Sequence, residues 1–191
     1  MKPAKKVKQP FRYRFAQALK LAAKRPSVQH IPDNPPESIV ILAKERYGDC
    51  IMLTPLIGCL RKKYPALSIY ILTFNQNIFD FFRTDSNITA VYNTKKNPVR
   101  YCREILSKEF TLLFNPKDHP STNFLIQTAL VRARRKISHY NIYHEGLYGE
   151  LIRLDANTHE SAKNLSLINL VEGSSELIEC KPYIPVMAVS P

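Results

Sequence analysis

Short apolar runs alternate with amphipathic patterns along most of the chain. Runs of strand length lie at residues 38–44, 67–73, 88–92 and 110–114, and a shorter one lies at 136–138. Between and after them, apolar residues recur at the three- and four-residue spacing of helices, over residues 49–64, 77–83, 98–108, 122–132 and 159–171. This alternation predicts βαβ units, so we expect an α/β fold built on a Rossmann-like, open and mostly parallel sheet.

Such sheets bind their ligands where the parallel strands end, at the carboxyl edge. Right-handed crossovers would bring three loops to that edge, at residues 45–49, 73–77 and 115–121. We therefore expect the functional side chains of the domain to lie in these loops.

The first 37 residues differ from the rest of the chain. They carry nine basic and two acidic residues, which is a net charge of +7 out of the chain's +12. Five apolar positions fall on one face of a helix: Phe11, Phe15, Ala18, Leu19 and Ala22. Such a basic amphipathic helix either lies on an anionic membrane surface or packs on the folded domain with its charges in solvent. The sequence leaves both readings open.

Prolines mark the boundary of the folded part. Pro26, Pro32, Pro35 and Pro36 predict a stiff linker, and the domain should begin near Ser38. We therefore divide the chain into three parts. These are a basic amphipathic tail with its linker at 1–37, a Rossmann-like domain at 38–175 and a linking segment at 176–191.

Composition excludes several classes of function. The 191 residues include five glycines and neither a G-x-G-x-x-G nor a G-x-x-x-x-G-K-[ST] motif, which excludes the usual dinucleotide and P-loop fingerprints. No apolar segment approaches the ~20 residues of a membrane span. The cysteines Cys50, Cys59, Cys102 and Cys180 show no C-x-x-C or Cys–His metal spacing. We therefore expect no metal site, and reduced thiols in a cytosolic protein.

Two loops at the predicted ligand edge carry candidate chemistry. Asp49 stands at or just before a helix start, where it serves as an N-cap or as a general base toward a hydroxyl group. Gly48 would allow a tight turn against a ligand. In the third loop, Lys117 and His119 are placed to contact anionic oxygens, and Ser121 should cap the following helix.

Residues 39–55 run as an apolar strand, a basic turn, Gly48-Asp49, several apolar residues and Thr54-Pro55. This opening resembles glycosyltransferase family 9, the heptosyltransferases of lipopolysaccharide core assembly and their relatives. Further segments agree with the family in the same order, at residues 60–65, 67–73, 134–137, 159–165 and 172–173. The resemblance spans about residues 38–173.

The resemblance implies the N-terminal, acceptor-binding domain of a GT-B glycosyltransferase. Such an enzyme would transfer a heptose or similar sugar from a nucleotide sugar to lipopolysaccharide or another cell-surface glycan, with inversion and without a metal. The family assigns Asp49 as the base that activates the acceptor hydroxyl, and basic residues of this domain usually meet acceptor phosphates. The substrate-binding candidates are Lys44, Arg46, Gly48, Thr54, Arg61, Lys117, His119 and Ser121.

The resemblance also implies partners. We expect a glycolipid or lipopolysaccharide-core acceptor, a nucleotide sugar, and an anionic membrane surface contacted through residues 1–37, with no nucleic acid. The expected location is the cytoplasm, with peripheral attachment to the inner membrane. The alternative is a non-catalytic basic binding module for nucleic acid or an anionic membrane surface, which a sequence pI of about 9.6 favours.

Three features depart from the family pattern. Residues 115–118 read Asn-Pro-Lys-Asp where many relatives carry Asp-Leu-Gln-Gly, and Ile137-Ser138 replaces an Ile-Gly step. The family's Asp-x-x-Gly-x-x-His motif of the nucleotide-sugar domain does not occur in the sequence. A two-domain enzyme needs about 300 residues, so we expect the nucleotide-sugar donor to be bound mainly by a C-terminal domain that this chain lacks. No other cofactor is expected, and the chain should be inactive alone.

Overall fold

The computed structural model of the protein describes residues 10–22, 35–155, 157–175 and 178–185. Six strands form one sheet in the order β3-β2-β1-β4-β5-β6, and every neighbouring pair is parallel. The strands are β1 Ser38–Leu42, β2 Ser68–Thr73, β3 Ala90–Asn93, β4 Glu109–Asn115, β5 Arg132–His139 and β6 Glu150–Ile152. This order confirms the predicted Rossmann-like fold class.

Helices cover both faces of the sheet. They are α1 Pro10–Ala22, α2 Tyr47–Ile51, α3 Thr54–Lys63, α4 Gln76–Phe82, α5 Pro98–Tyr101, α6 Thr122–Leu130 and α7 Glu160–Glu172, and α5 continues into a π-helical turn at Cys102–Leu106. On one face, Ile39, Ile41 and Phe114 are buried against α3, α4 and α7. On the other, Val40 and Leu42 are buried with side chains of α1 and α6. Because alternate strand residues enter opposite cores, each central strand reads as a continuous apolar run.

The topology creates a switch point beside β1. The chain leaves β1 toward β2 and β3, then crosses back so that β4 pairs with the other side of β1. The loops after β1 and β4 therefore diverge at the carboxyl edge, which leaves the crevice where open α/β sheets bind ligands.

The predicted helix at 49–64 is wrong in its start and its continuity. It is two helices: α2 begins at Tyr47 and α3 begins at Thr54. The break lies before Pro55, which has no N–H to donate to the carbonyl of Ile51 four residues earlier. The hydroxyl of Thr54 donates to that Ile51 carbonyl at 2.8 Å instead.

The basic run at 132–136 also differs from prediction. We expected a helix through residue 132 and a short strand at 136–138, but α6 ends at Leu130 and β5 begins at Arg132. Arg135 forms a two-pronged ion pair with Glu150, its Nε and Nη2 lying 2.7 and 2.8 Å from the carboxylate oxygens. Glu150 is the first residue of β6, a three-residue strand in a segment for which the sequence predicts no strand.

Helix α1 forms as predicted, but its buried face is rotated from the predicted one. Ala16 is fully buried, and Tyr13 and Leu19 pack beside it on the core that contains α6. Ala18, which was assigned to the apolar face, is exposed. The helix thus packs on the domain. Most of the predicted linker, including Pro26 and Pro32, lies outside the described residues.

The segment at 178–185 returns across α3. Cys180 forms a disulfide with Cys59 of α3, so the expectation that all four cysteines are reduced is wrong for this pair. The backbone N–H of Tyr183 donates to Thr54 Oγ1 at 2.9 Å, and its hydroxyl donates to Asp85 at 2.7 Å. Residues 178–185, which were predicted to belong to a linker, are therefore held on the domain by these bonds.

Candidate functional site

Three ion pairs join the loops at the carboxyl edge of the sheet. Lys117, after β4, pairs with Glu45, after β1, with Nζ–Oε distances of 2.7 and 3.0 Å. This pair spans the crevice at the switch point. Two further pairs, Lys44–Glu160 and Lys163–Asp118, connect the same loops to the first turn of α7.

Pairing changes the expected role of the two lysines predicted to bind substrate. Lys44 is 7 % exposed and Lys117 is 5 % exposed. The ammonium of Lys117 also lies 4.2 Å from the centroid of the Phe124 ring. Both cations are thus buried and neutralised by carboxylates within the fold, so a phosphate would have to displace a carboxylate to bind either of them.

The carboxylate of Asp49 has a different environment. Asp49 is the third residue of α2, half-buried at the carboxyl edge, and Arg46 occupies the N-cap position. The capping reading is therefore wrong, since no side chain caps this helix. Within the described residues, the Asp49 carboxylate forms no hydrogen bond or ion pair, in contrast to Glu45 and Glu160 nearby in the fold.

Gly48 does not make the tight turn that was expected. It lies inside α2, and only Gly146 and Gly173 have positive φ among the described glycines. A Cβ at Gly48 would meet no atom within 4 Å. There is thus open space at the α-carbon of Gly48, and the side chain of Arg46 is exposed.

Two of the predicted binding residues, Thr54 and Arg61, form hydrogen bonds within the fold. Thr54 is fully buried, with its hydroxyl bonded to Ile51 and Tyr183 as described above. Arg61 lies near the end of α3, and its guanidinium donates to the carbonyls of Asn87 and Pro65. Those carbonyls precede β3 and β2, so Arg61 is at the amino edge, opposite the crevice.

His119 and Ser121 do lie in the loop after β4. His119 is exposed, with Nδ1 3.2 Å from Asp118 Oδ1. Ser121 occupies the predicted N-cap position of α6 with extended backbone angles, but its hydroxyl makes no capping hydrogen bond.

A polar cleft beside β5, β6 and α7 was missed by sequence reasoning. Its volume is about 450 Å³, and its charged lining consists of Asp118, Arg153, Asp155 and Lys163. His139, the last residue of β5, also lines it. A histidine at the carboxyl end of a strand could have indicated this cleft. The predicted strand ended at residue 138, so His139 was not recognised as a strand end.

Two buried histidines lie close to this cleft. Burial, together with the nearby Lys44 cation, lowers the pKa of His139 to about 4, and burial lowers the pKa of His144 to about 4. Both rings are therefore neutral near pH 7. Nδ1 of His144 lies 3.0 Å from the carbonyl oxygen of His139, so Nδ1 carries the proton. The Nε2 atoms of both rings are buried without a partner in the described part of the chain.

Burial acts to raise the pKa of Asp118, but hydrogen bonds from Lys163 and His119 outweigh it and hold that pKa well below its usual range. Asp118 is thus a firmly ionised carboxylate. The described residues contain no group of three or more His, Cys, Asp or Glu side chains arranged to hold a metal ion.

The fold is that of one half of a GT-B glycosyltransferase. It is similar to E. coli heptosyltransferase WaaC with ADP, with a TM-score of 0.58 and 12% identity over 75% of this chain and 50% of that chain. It is also similar to a glycosyl transferase family 9 structure from Veillonella parvula, with a TM-score of 0.57 and 19% identity over 78% of this chain and 43% of that chain. These matches confirm the resemblance to family 9 seen in the sequence.

WaaC with ADP-2-deoxy-2-fluoro heptose matches equally well, with a TM-score of 0.58 and 11% identity over 72% of this chain and 49% of that one. The chain thus spans about half the length of these structures. No family model and no curated protein matches the sequence. At these identities the likeness concerns the fold.

Proposed function

We propose that the protein is the acceptor-binding half of an inverting, metal-independent glycosyltransferase. The enzyme transfers a heptose or similar sugar from a nucleotide sugar to lipopolysaccharide or another cell-surface glycan. The observation that carries the proposal is the position of Asp49 at the carboxyl edge of a fold shared with family 9 structures. WaaC, one of those structures, is a heptosyltransferase seen with ADP.

Asp49 is the base in this proposal. An acceptor hydroxyl attacks the anomeric carbon of the donor from the face opposite the nucleotide, and the carboxylate takes the hydroxyl proton as the C–O bond forms. The nucleoside diphosphate leaves, and the anomeric configuration inverts. A base must be free to accept that proton, and the Asp49 carboxylate is free of hydrogen bonds and ion pairs within the described residues.

The test is sugar transfer by the protein expressed from its full reading frame, with Asp49→Asn as the variant. General base catalysis contributes about 10²–10⁴-fold, so the variant should lose that factor in kcat. Asp80→Asn is the matched control, because Asp80 is a carboxylate of α4 that pairs with Arg83. Equal activity of the Asp49 variant and the parent would remove Asp49 as the base.

The location that goes with this proposal is the cytoplasmic face of a membrane. No helix within the described ranges is long and apolar enough to cross a bilayer. A cytoplasmic location would expose the Cys59–Cys180 disulfide of this structure to reduction. The hydrogen bonds of Tyr183 to Thr54 and Asp85 do not depend on that bond and would keep the segment on α3.

The outer face of α1 is the proposed contact with an anionic membrane. Tyr13 and Ala16 face the domain, whereas Leu21 is 90 % exposed and Arg14 is exposed. An exposed leucine beside basic residues suits an interface where apolar groups meet anionic lipid headgroups.

Flotation of the full chain with vesicles tests this contact. Vesicles with anionic phospholipid should carry the protein, and neutral phosphatidylcholine vesicles should not. Leu21→Glu should weaken binding at least about fivefold, since one charge replaces one inserted side chain. Val99→Glu, which alters another highly exposed apolar residue, is the control. Equal binding of parent and Leu21 variant would refute the contact, and steeply salt-dependent DNA binding would favour the basic-module alternative.

A further inference from the structure

The polar cleft beside β5, β6 and α7 has a lining suited to a particular class of ligand. Its volume of about 450 Å³ lies within the range of small-molecule sites. The polar residues that line it are Asp118, His139, Tyr140, Arg153, Asp155 and Lys163. They come from the loop after β4, the end of β5, the segment after β6, and α7.

Arg153 is the most distinctive of these residues. Its guanidinium carbon lies 3.5 Å from the centroid of the Tyr140 ring, so the flat group is stacked on the aromatic ring. Within the described residues Arg153 forms no ion pair, and its planar fork of N–H groups remains available for a pair of ligand oxygens. Stacking restrains the guanidinium, so the Arg153 side chain loses little conformational entropy when it binds two ligand oxygens.

His139 supplies a second independent observation. The residue is 3 % exposed, lines the cleft, and has an Nε2 atom that is buried with no partner in the described part of the chain. A neutral imidazole can donate from one nitrogen and accept at the other. A ligand hydroxyl group, which also donates and accepts, is a suitable partner for such a ring.

The charges of the cleft balance. Lys163 is paired with Asp118 at 2.9 Å, and Arg153 and Asp155 add one charge of each sign. The neighbouring cations Lys44 and Lys117 are also paired with carboxylates. A phosphate would be attracted by Arg153 and repelled by the acidic groups, whereas a ring of hydroxyl groups can bond to both signs.

We propose that this cleft is a subsite for a neutral sugar unit, with Arg153 and His139 as the hydroxyl-binding residues. The assignment rests on the proposed function, because it names the part of the acceptor that the domain holds. It departs from the expectation of an anionic acceptor, because the buried lysines at this edge are already neutralised.

The experiment is titration of the full chain, followed by NMR chemical shifts, with four probes. The probes are methyl glycosides of neutral hexoses, a neutral disaccharide, a hexose 6-phosphate and inorganic phosphate. A neutral glycoside should bind, and its Kd should change little between about 50 and about 300 mM salt, since no net charge is screened. Tighter binding of inorganic phosphate than of any neutral glycoside would overturn the proposal, and so would the absence of neutral-glycoside binding.

Variants locate the binding. Arg153→Met keeps the apolar stem but removes the guanidinium fork, and it should raise the Kd for the neutral glycoside about tenfold or more. Arg153→Lys keeps the charge without the fork and should weaken it similarly. Arg83→Met, at an exposed arginine of α4's C-cap, is the control. An unchanged Kd in both Arg153 variants would overturn the assignment.

The two proposals fail in different ways. If Asp49→Asn leaves glycoside binding intact but transfer is never detected, the glycosyltransferase proposal fails and the sugar subsite stands. If transfer depends on Asp49 but Arg153→Met changes neither glycoside binding nor the KM for acceptor, the subsite is refuted and the glycosyltransferase proposal stands.

Discussion

Mild acid should destabilise the domain through two buried histidines. His139 and His144 are almost fully buried, and the pKa of each is lowered to about 4 in the folded protein from an ordinary value of 6.5. Between those two pH values the unfolded chain binds a proton at each ring and the folded protein does not. Stability therefore falls as the pH falls through this range.

The magnitude follows from the two pKa values. At about pH 5 the unfolded ring is almost fully protonated and the folded ring is mostly neutral, a difference of about 2 kcal/mol for each histidine. The two rings together should lower the free energy of unfolding by about 4 kcal/mol between about pH 7 and about pH 5. That is a large share of the free energy of unfolding of a typical domain, which is about 5–15 kcal/mol.

The surroundings of the two rings allow the effect to be isolated. Lys44, Asp118, Glu160 and Lys163 lie around His139, and Lys20, Asp118 and His119 lie around His144. The pKa of Asp118 is lowered in the folded state, so the stability that it contributes is lost only at lower pH, below its ordinary pKa of 3.8. Its protonation therefore does not enter the range between about pH 5 and about pH 7.

Urea unfolding at the two pH values measures the effect. His139→Gln and His144→Gln should each remove about half of the loss, and the double variant should remove most of it. Each comparison is made within one variant between two pH values, so a general destabilisation by the substitution cancels. The reasoning is refuted if the double variant loses as much stability on acidification as the parent.

Two more predictions concern Lys136 and the disulfide. Burial lowers the pKa of Lys136 to about 8, so between about pH 8 and about pH 10 the unfolded chain binds a proton that the folded protein does not. The free energy of unfolding of the parent, measured in urea, should therefore rise over this range, and Lys136→Met should abolish the rise. An equal rise in the variant would contradict the prediction. Cys180→Ser removes the Cys59–Cys180 bond, which joins residues 121 positions apart, and should cost about 2–4 kcal/mol in oxidising buffer and little in dithiothreitol. The same cost in both buffers would refute a role for that bond.

The fold could be predicted because its signals are local. Continuous apolar runs such as residues 38–44 indicate strands covered on both sides. Helix α7 ends at Glu172, close to the predicted end at residue 171, and Gly173, with φ of 64°, is its C-cap. Strand β6 escaped prediction because three residues are too few for a period, and Glu150 is placed there by its pairing with Arg135.

The candidate site was harder to predict because burial and partners are tertiary properties. Lys44 and Lys117 lie in the predicted loops, but nothing in their neighbourhood along the chain reveals that carboxylates from other segments neutralise them. Arg61 belongs to a helix that starts at the ligand edge, and seven residues of helix carry it to the opposite edge of the sheet. His139 was missed because its importance depends on the cleft around it.

The Lys44–Glu160 pair sets an order in time during synthesis. The two residues are 116 positions apart, one just after the first strand and the other at the start of the last helix. At ribosomal rates of about 5–20 residues per second, roughly 6–23 s separate their emergence. Through that interval Lys44 has no carboxylate from α7, and burying it alone would be costly. The loop after β1 therefore gains this ion pair, and Lys44 can be buried with its partner, only after α7 has been synthesised.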